Sequence, residues 1–249
     1  MGSENAYANP LSATARELSG LTVNHSRARR KRRARRLAPV AEIPTRPIVL
    51  ARAEHGGGAL KNVIVYLVGV PGVGKYTVGK LVAERLAAKL LDNHFWANPI
   101  LEVVEPDGGP LPAGVWDRAN DVLSAVIETV ALFGPAGRNY VFTHAVSDQG
   151  GHPLDWIIAG QILWLAERRR ANLLVVRLAC GEEQLRQRIA AEERRGRFKT
   201  TNADQASSLA SLPPFPINHD WLLDLDTNGL SPADTANRIQ DELKARLGP

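Results

Sequence analysis

The stretch that decides the fold is residues 63–80, with the sequence VIVYLVGVPGVGKYTVGK. An uninterrupted run of apolar side chains at residues 63–68 predicts a short strand that is buried on both faces of a sheet. A glycine-rich turn follows, and the apolar spacing across residues 75–91 predicts a helix. A strand, a glycine-rich turn and a helix in this order form the setting of the motif G-x-x-x-x-G-K-[ST].

The motif departs from this pattern at one position. The residue after Lys75 is Tyr76, so that the expected hydroxyl comes one place late, at Thr77. Glycines let backbone N–H groups approach phosphate oxygens, the helix N-terminus adds donors, and the lysine adds a mobile charge. We therefore predict a phosphate-binding loop, the alternative being a strand–helix turn with an incidental lysine. Its residues are Gly69, Val70, Pro71, Gly72, Val73, Gly74, Lys75, Tyr76 and Thr77.

Composition and charge bound the class of protein. The 249 residues are 44% hydrophobic and 23% charged, which is typical of a globular chain with a sizeable core. The single cysteine, Cys180, cannot form an internal disulfide, which favours a cytoplasmic location. No apolar run approaches the roughly 18 residues of a membrane span.

The positive charge is concentrated at the N-terminus. Residues 1–60 contain 11 Lys+Arg and 4 Asp+Glu, whereas residues 61–249 contain 20 and 22. We predict a disordered, Arg-rich extension at residues 1–58 and a nucleotide-binding domain at residues 59–249. The extension could contact nucleic acid or a membrane surface, act as an organelle transit peptide, or be a solvated tail.

Downstream of the loop, strand and helix patterns alternate. This alternation predicts an α/β fold in which helices cover both faces of a parallel sheet. The predicted strands are 90–91, 140–146, 173–180 and 220–227, and the predicted helices are 116–133, 153–169, 182–195 and a last one from the N-cap Ser231 to Leu247.

The loop sequence GVPGVGKYT resembles that of adenylate kinases, in which a glycine follows the lysine and a threonine comes next. The order of elements over residues 61–247 resembles the shikimate, gluconate and nucleoside-monophosphate kinases, and bacterial AAA-family ATPase chains. The resemblance implies a three-layer P-loop NTPase fold with ATP and Mg²⁺ as cofactors. It also implies that Thr77 contacts phosphate while water and nucleotide oxygens hold most of the Mg²⁺.

A polar group follows the second predicted strand, in the segment LLDNHFWANP at residues 90–99. Ligands of such folds bind at the carboxyl edge of the sheet. In the resembled kinases an acidic residue here contacts the acceptor or acts as base, which implies that role for Asp92, with His94 beside it. The alternative is a turn at Asp92 and Asn93 with a partly buried His94.

Two further features bear on catalysis. The third strand ends in Thr143 and His144 where an acidic Mg²⁺ ligand is common, so that Asp92 or Asp148 would hold the ion. In the resembled kinases a lid carries arginines onto the phosphates, which implies that role for Arg194 and Arg195. Its other candidate members are Arg188, Arg197 and Lys199, and the alternative is a solvated helix end.

The function that these features favour is transfer of the γ-phosphoryl group of ATP to a small-molecule or nucleotide acceptor. Two alternatives stay open: a nucleotide-binding regulatory module with little catalysis, and a kinase of nucleic-acid ends that the basic extension holds on the polymer. The resemblance also suggests that residues 226–228 contact adenine. The sequence predicts neither the acceptor nor the oligomeric state.

Overall fold

The structure is a computed structural model that describes residues 60–106, 111–146, 152–190 and 203–248. Its described strands form one five-stranded sheet in the order β2-β3-β1-β4-β5, and every neighbouring pair is parallel. The strands are β1 (Val63–Gly69), β2 (Lys89–Leu91), β3 (Tyr140–Ala145), β4 (Asn172–Ala179) and β5 (Leu222–Asp226).

Helices cover both faces of the sheet. They are α1 (Lys75–Arg85), α2 (Asn93–Val104), α3 (Val115–Phe133), α4 (Pro153–Arg169), α5 (Glu182–Ala190), α6 (Ala206–Ala210) and α7 (Pro232–Leu247). Side chains of α2, α3 and α4 build the core on one face, and those of α1, α5, α6 and α7 build the core on the other. The predicted three-layer P-loop fold is therefore confirmed. Among the described helices, none has the length and apolar character that a membrane span requires.

The central strand β1 connects the two cores. Its side chains alternate, so that Ile64, Tyr66 and Val68 belong to the core beside α3 and α4, while Val65 and Leu67 belong to the core beside α1 and α7. All five are fully buried. Burial of one such aliphatic or aromatic side chain stabilises a fold by about 1.5–3 kcal/mol. The strand therefore fixes the position of the loop that follows it.

The amino edge of the sheet depends on Asn139, which the sequence analysis did not identify. Its Oδ1 accepts a hydrogen bond from the Val63 backbone N–H at 2.9 Å. Its Nδ2 donates to the carbonyls of Leu60 and Leu86, at 2.6 and 2.7 Å. One buried side chain thus joins the starts of β1 and β3 to the end of α1.

The structure differs from the predicted elements in one helix boundary and in two helices that were not predicted. Helix α1 ends at Arg85, well before residue 91, because Ala87 takes a left-handed conformation (φ 46°) without the glycine that usually marks it. Helix α2, which follows residue 92 and continues through Pro99, was not predicted. The short helix α6 was not predicted because five residues are too few for a periodic pattern.

Trp96 is buried, whereas Trp116, Trp156 and Trp164 are about half exposed. The predicted extension at residues 1–58 lies outside the described residues.

Arg177 of β4 and Asp224 of β5 form an ion pair between the two neighbouring strands, at 2.6 Å. Hydrogen bonding from Arg177 lowers the pKa of Asp224, and the same bond raises the pKa of Arg177. Because the Asp224 pKa is depressed in the folded chain, the pair contributes stability above the ordinary carboxyl range near pH 4, and this contribution is lost as pH falls through the lowered pKa. The contribution is at most about 1 kcal/mol, since Asp224 is largely exposed.

The Asn139 contacts yield a stability prediction. Asn139→Ala leaves one buried N–H and two carbonyls without their partner, which costs about 2–3 kcal/mol of unfolding free energy. Asn237→Ala, an exposed position on α7, is the matched control and should change the unfolding free energy by less than about 0.5 kcal/mol. Urea unfolding of the full chain measures both, and equal effects of the two substitutions would refute the structural role of Asn139.

Candidate functional site

The turn between β1 and α1 has the backbone shape of an anion cradle. Gly72 and Gly74 have φ values of +93° and +106°, which side chains disfavour. A Cβ atom at Gly72 would lie 2.7 Å from Ile189 and 2.9 Å from Leu185, both on α5. Only glycine therefore fits at position 72, and α5 packs directly against the loop.

Helix α1 itself supplies no acidic side chain and no side-chain cap at its N-terminus. Its N-cap, Gly74, makes no side-chain capping bond, and the first turn contains no acidic residue. In contrast, α2, α4 and α7 begin with the capping side chains Asp92, His152 and Ser231. An uncapped helix N-terminus presents N–H donors and a partial positive charge, which together favour a phosphate group.

Lys75 lies inside this loop. The residue is only 7% exposed, and its Nζ donates to the carbonyls of Gly69 and Val70 at 2.8 Å each. Tyr76 is partly buried, and Thr77, the predicted phosphate and Mg²⁺ contact, is exposed on the first turn of α1. The ammonium group is thus held among backbone carbonyls at the place where the motif requires a charge for phosphate.

Asp92 lies at the same edge of the sheet as the loop. Leu91 of β2 pairs with Phe142, and the next residue of β3, Thr143, pairs with Leu67 of β1. Asp92 is therefore two strand spacings from β1, or about 10 Å. Between them, the Thr143 hydroxyl donates to Asp92 Oδ1 at 2.6 Å.

The structure agrees with the alternative interpretation, a turn at Asp92 beside a partly buried His94, and leaves the role of Asp92 toward an acceptor as a prediction. Asp92 Oδ2 accepts the His94 backbone N–H at 3.3 Å, so that it caps α2, and the residue is 9% exposed. His94 is partly buried and its Nδ1 lies 3.1 Å from Asn98 Oδ1. A carboxylate with four lone-pair positions still has acceptor capacity after these two bonds.

A buried polar chain on the other face of β3 was missed by the sequence analysis. The Asp155 carboxylate can only accept, so that His144 Nε2–H donates to Asp155 Oδ1 at 2.8 Å. In the neutral imidazole, Nδ1 then accepts from the Tyr66 hydroxyl at 2.6 Å. Burial, and secondarily the Asp155 charge, raise the pKa of Tyr66. The sequence analysis named His144 but not Asp155, and no sequence spacing signals that His144 bonds both Tyr66 and Asp155.

Arg188 connects the loop to β5. Its Nη1 donates to the Val73 carbonyl at 2.9 Å and to Thr227 Oγ1 at 3.0 Å. The predicted adenine-contact segment, residues 226–228, is therefore joined to the phosphate-binding loop through one guanidinium group. Cys180 nearby is buried, and burial raises the pKa of its thiol.

Several predicted site residues lie outside the described residues. They are Asp148 and the proposed lid members Arg194, Arg195, Arg197 and Lys199. Within the described part of the chain, no group of three or more His, Cys, Asp or Glu side chains could hold a metal ion. The donors at this edge, one carboxylate and a few hydroxyls, suit an Mg²⁺ ion that keeps most of its ligands from water and nucleotide.

Comparison with known proteins agrees with this geometry. A family described as an AAA domain matches residues 64–214 of the chain. The chain belongs to this family. A shikimate kinase of Saccharopolyspora erythraea is similar to the AAA-domain chain, with 28% identity over 184 residues that cover 72% of this chain and 93% of the relative.

Solved structures show the same fold. A protein assigned as a kinase in Chloroflexus aurantiacus matches the AAA domain with a TM-score of 0.54 and 15% identity, over 76% of this chain and 99% of that one. A sugar kinase of Janibacter sp. HTCC2649 matches with a TM-score of 0.50 and 19% identity, over 74% and 95%. The AAA-domain chain thus has the fold of these two proteins.

The crowding at Gly72 yields a second prediction. Gly72→Ala combines backbone strain with overlap against α5, which should cost about 2–4 kcal/mol of unfolding free energy. Gly229→Ala is the matched control, because its φ is also positive (+67°) but nothing lies within 4 Å of an added Cβ. Its cost should stay near 1 kcal/mol. Thermal unfolding measures the destabilisation by each substitution. Equal destabilisation by Gly72→Ala and Gly229→Ala would show that packing of α5 against the loop does not restrict position 72.

Proposed function

We propose that the chain binds ATP with Mg²⁺ at residues 69–77 and transfers the γ-phosphoryl group to a hydroxyl of a small-molecule acceptor. The observation that carries the proposal is the placement of Lys75 and the uncapped N-terminus of α1 at the sheet edge that also holds the Asp92–Thr143 pair. The part of this edge at Lys75 suits the phosphates of a nucleotide. The part at Asp92 suits an acceptor whose hydroxyl group donates a hydrogen bond.

The division of roles follows from the chemistry of phosphoryl transfer. A bond forms between the acceptor hydroxyl oxygen and the γ-phosphorus, and the bond from that phosphorus to the β–γ bridging oxygen breaks to release ADP. Asp92 accepts the hydroxyl proton, and Lys75 and the loop N–H groups stabilise charge on the phosphates. Bound Mg²⁺ would neutralise part of the phosphate charge. Arg194 and Arg195 are proposed as the lid arginines.

Thr143 acts on this chemistry through Asp92. Its hydroxyl donates to Asp92 Oδ1 while its Oγ1 accepts the Asn93 backbone N–H at 2.9 Å. These bonds fix the carboxylate and leave Oδ2, with only a long bond from His94 N–H, as the oxygen available for an acceptor. Thr143 is therefore a positioning residue.

One observation favours the second candidate, a nucleotide-binding module with little catalysis. Both oxygens of Asp92 already accept hydrogen bonds within the fold, and a pure capping role would account for them. In that case ATP binds at the loop but no acceptor receives phosphate.

The test compares the wild-type chain with Asp92→Asn. Asparagine is as good an N-cap as aspartate, so that α2 should remain folded. Loss of the base should lower kcat at least about 100-fold while the Kd for ATP changes less than about threefold. Transfer of label from γ-labelled ATP to a pooled metabolite extract measures turnover, and calorimetry measures binding.

Asp241→Asn, an exposed carboxylate on α7, is the matched control and should retain full turnover. Unchanged turnover in Asp92→Asn would refute the assignment of the base. ATP binding without transfer from the wild-type chain to any acceptor in the extract would favour the regulatory module.

A further inference from the structure

Resting on the proposed kinase function, we propose that the phosphoryl acceptor carries no negatively charged group: it is a neutral or amine-bearing hydroxyl compound. The inference comes from where anions can and cannot be accommodated along the carboxyl edge of the sheet. The N-terminus of α1 is suited to nucleotide phosphates. The acceptor side, meaning Asp92 and the first turns of α2, α3 and α4, differs from it in the charges of its described residues.

The helix N-termini on the acceptor side are already neutralised. Asp92 caps α2, and Asp155 belongs to the capping box that begins α4. Helix α3 has Asp117 in its first turn. Since α3 ends six residues before the start of β3 and is about 28 Å long, its first turn lies towards the carboxyl edge. Each of these helix dipoles faces a carboxylate, which repels a second anion.

The net charge of the acceptor-side segment is negative, which also disfavours an anionic acceptor. Residues 92–133 contain seven acidic residues and one basic residue, Arg118. Arg118 forms an ion pair with Asp121 at 2.7 Å. A carboxylate or phosphate on the acceptor would normally be recognised by a guanidinium or ammonium group, often bidentately. The described residues of α2 and α3 offer no second cation for this purpose.

The other positively charged side chains near this edge either bond groups of the fold or lie at the nucleotide-binding loop. Lys75 bonds the loop carbonyls, Arg188 bonds Val73 and Thr227, and Arg177 bonds Asp224. Arg169 is at the opposite end of its helix, where it donates to the Val130 carbonyl at the end of α3. Among the described residues, the cations at this edge are thus committed to the nucleotide loop or to the fold.

The acceptor side instead presents neutral polar groups beside one carboxylate. Asn93, His94 and Asn98 lie on the first turns of α2, partly buried and next to Asp92. Amide and imidazole groups bond hydroxyls in either direction, and the carboxylate tolerates an ammonium group. Shikimate bears a carboxylate, so that the inference separates this chain from the shikimate kinase that it resembles.

The test uses the full chain, γ-labelled ATP and a metabolite extract divided at pH 7 on an anion-exchange resin. The flow-through contains neutral and cationic compounds, and the retained pool contains anions. We expect at least 10-fold more label transfer from the flow-through pool than from the retained pool. The labelled product is then dephosphorylated, and the freed acceptor should stay at the origin or move to the cathode in electrophoresis at pH 7.

Transfer mainly from the retained pool, or an acceptor that moves to the anode, would overturn the inference while leaving the kinase function intact. Transfer from neither pool would reject the kinase function, and the inference with it. Arg118→Ala should leave the transfer from both pools within twofold of wild type. Selective loss of transfer from the retained pool in that variant would show that Arg118 binds an anionic acceptor, again contrary to the inference.

Discussion

The conformation of the turn between β1 and α1 is the constraint on which the rest of the structure depends. Two positive-φ glycines shape this turn, and the buried Lys75 lies within it. The Gly69 carbonyl accepts both from Lys75 and from the Val146 backbone N–H at 3.2 Å. Ile189 closes the space beside Gly72. Contacts with Lys75, residue 146 and helix α5 thus fix the conformation of the loop.

Strand β3 contributes to the acceptor side through two successive side chains, which point to opposite faces of the sheet. Thr143 faces α1 and bonds Asp92 at the start of α2, and the next residue, His144, faces the opposite core and bonds Asp155 on α4. The strand therefore fixes the first turns of two helices with two consecutive polar residues. The Thr143–Asp92 bond is buried and the His144–Asp155 bond is partly buried. A buried group left without its partner would cost about 1–3 kcal/mol.

Much of the fold could be predicted from the sequence because periodicity and the glycine-rich turn are local signals. The ends of α4 at Pro153 and Arg169 were predicted correctly, as was the N-cap Ser231. The end of α1 could not be predicted, since Ala87 adopts a left-handed conformation without a glycine.

The site was predictable only where one segment contains it. The turn before Lys75 lies between a strand and a helix as predicted, but the contacts of Asp92 with Thr143 and of His144 with Tyr66 join residues 51 and 78 positions apart. Such contacts depend on strand order, which hydrophobic patterns do not encode. The role of Asn139 at the amino edge was hidden for the same reason.

The central claim is that the turn after β1 binds nucleotide phosphate through Lys75. The most direct test is calorimetry of ATP with Mg²⁺ on the full chain, on Lys75→Met and on Lys80→Met, an exposed lysine of the same helix. The account predicts that Lys75→Met weakens ATP binding at least 10-fold, about 1.4 kcal/mol, while Lys80→Met binds as the wild type does. Equal affinity in all three chains, or no binding by the wild type, would contradict it.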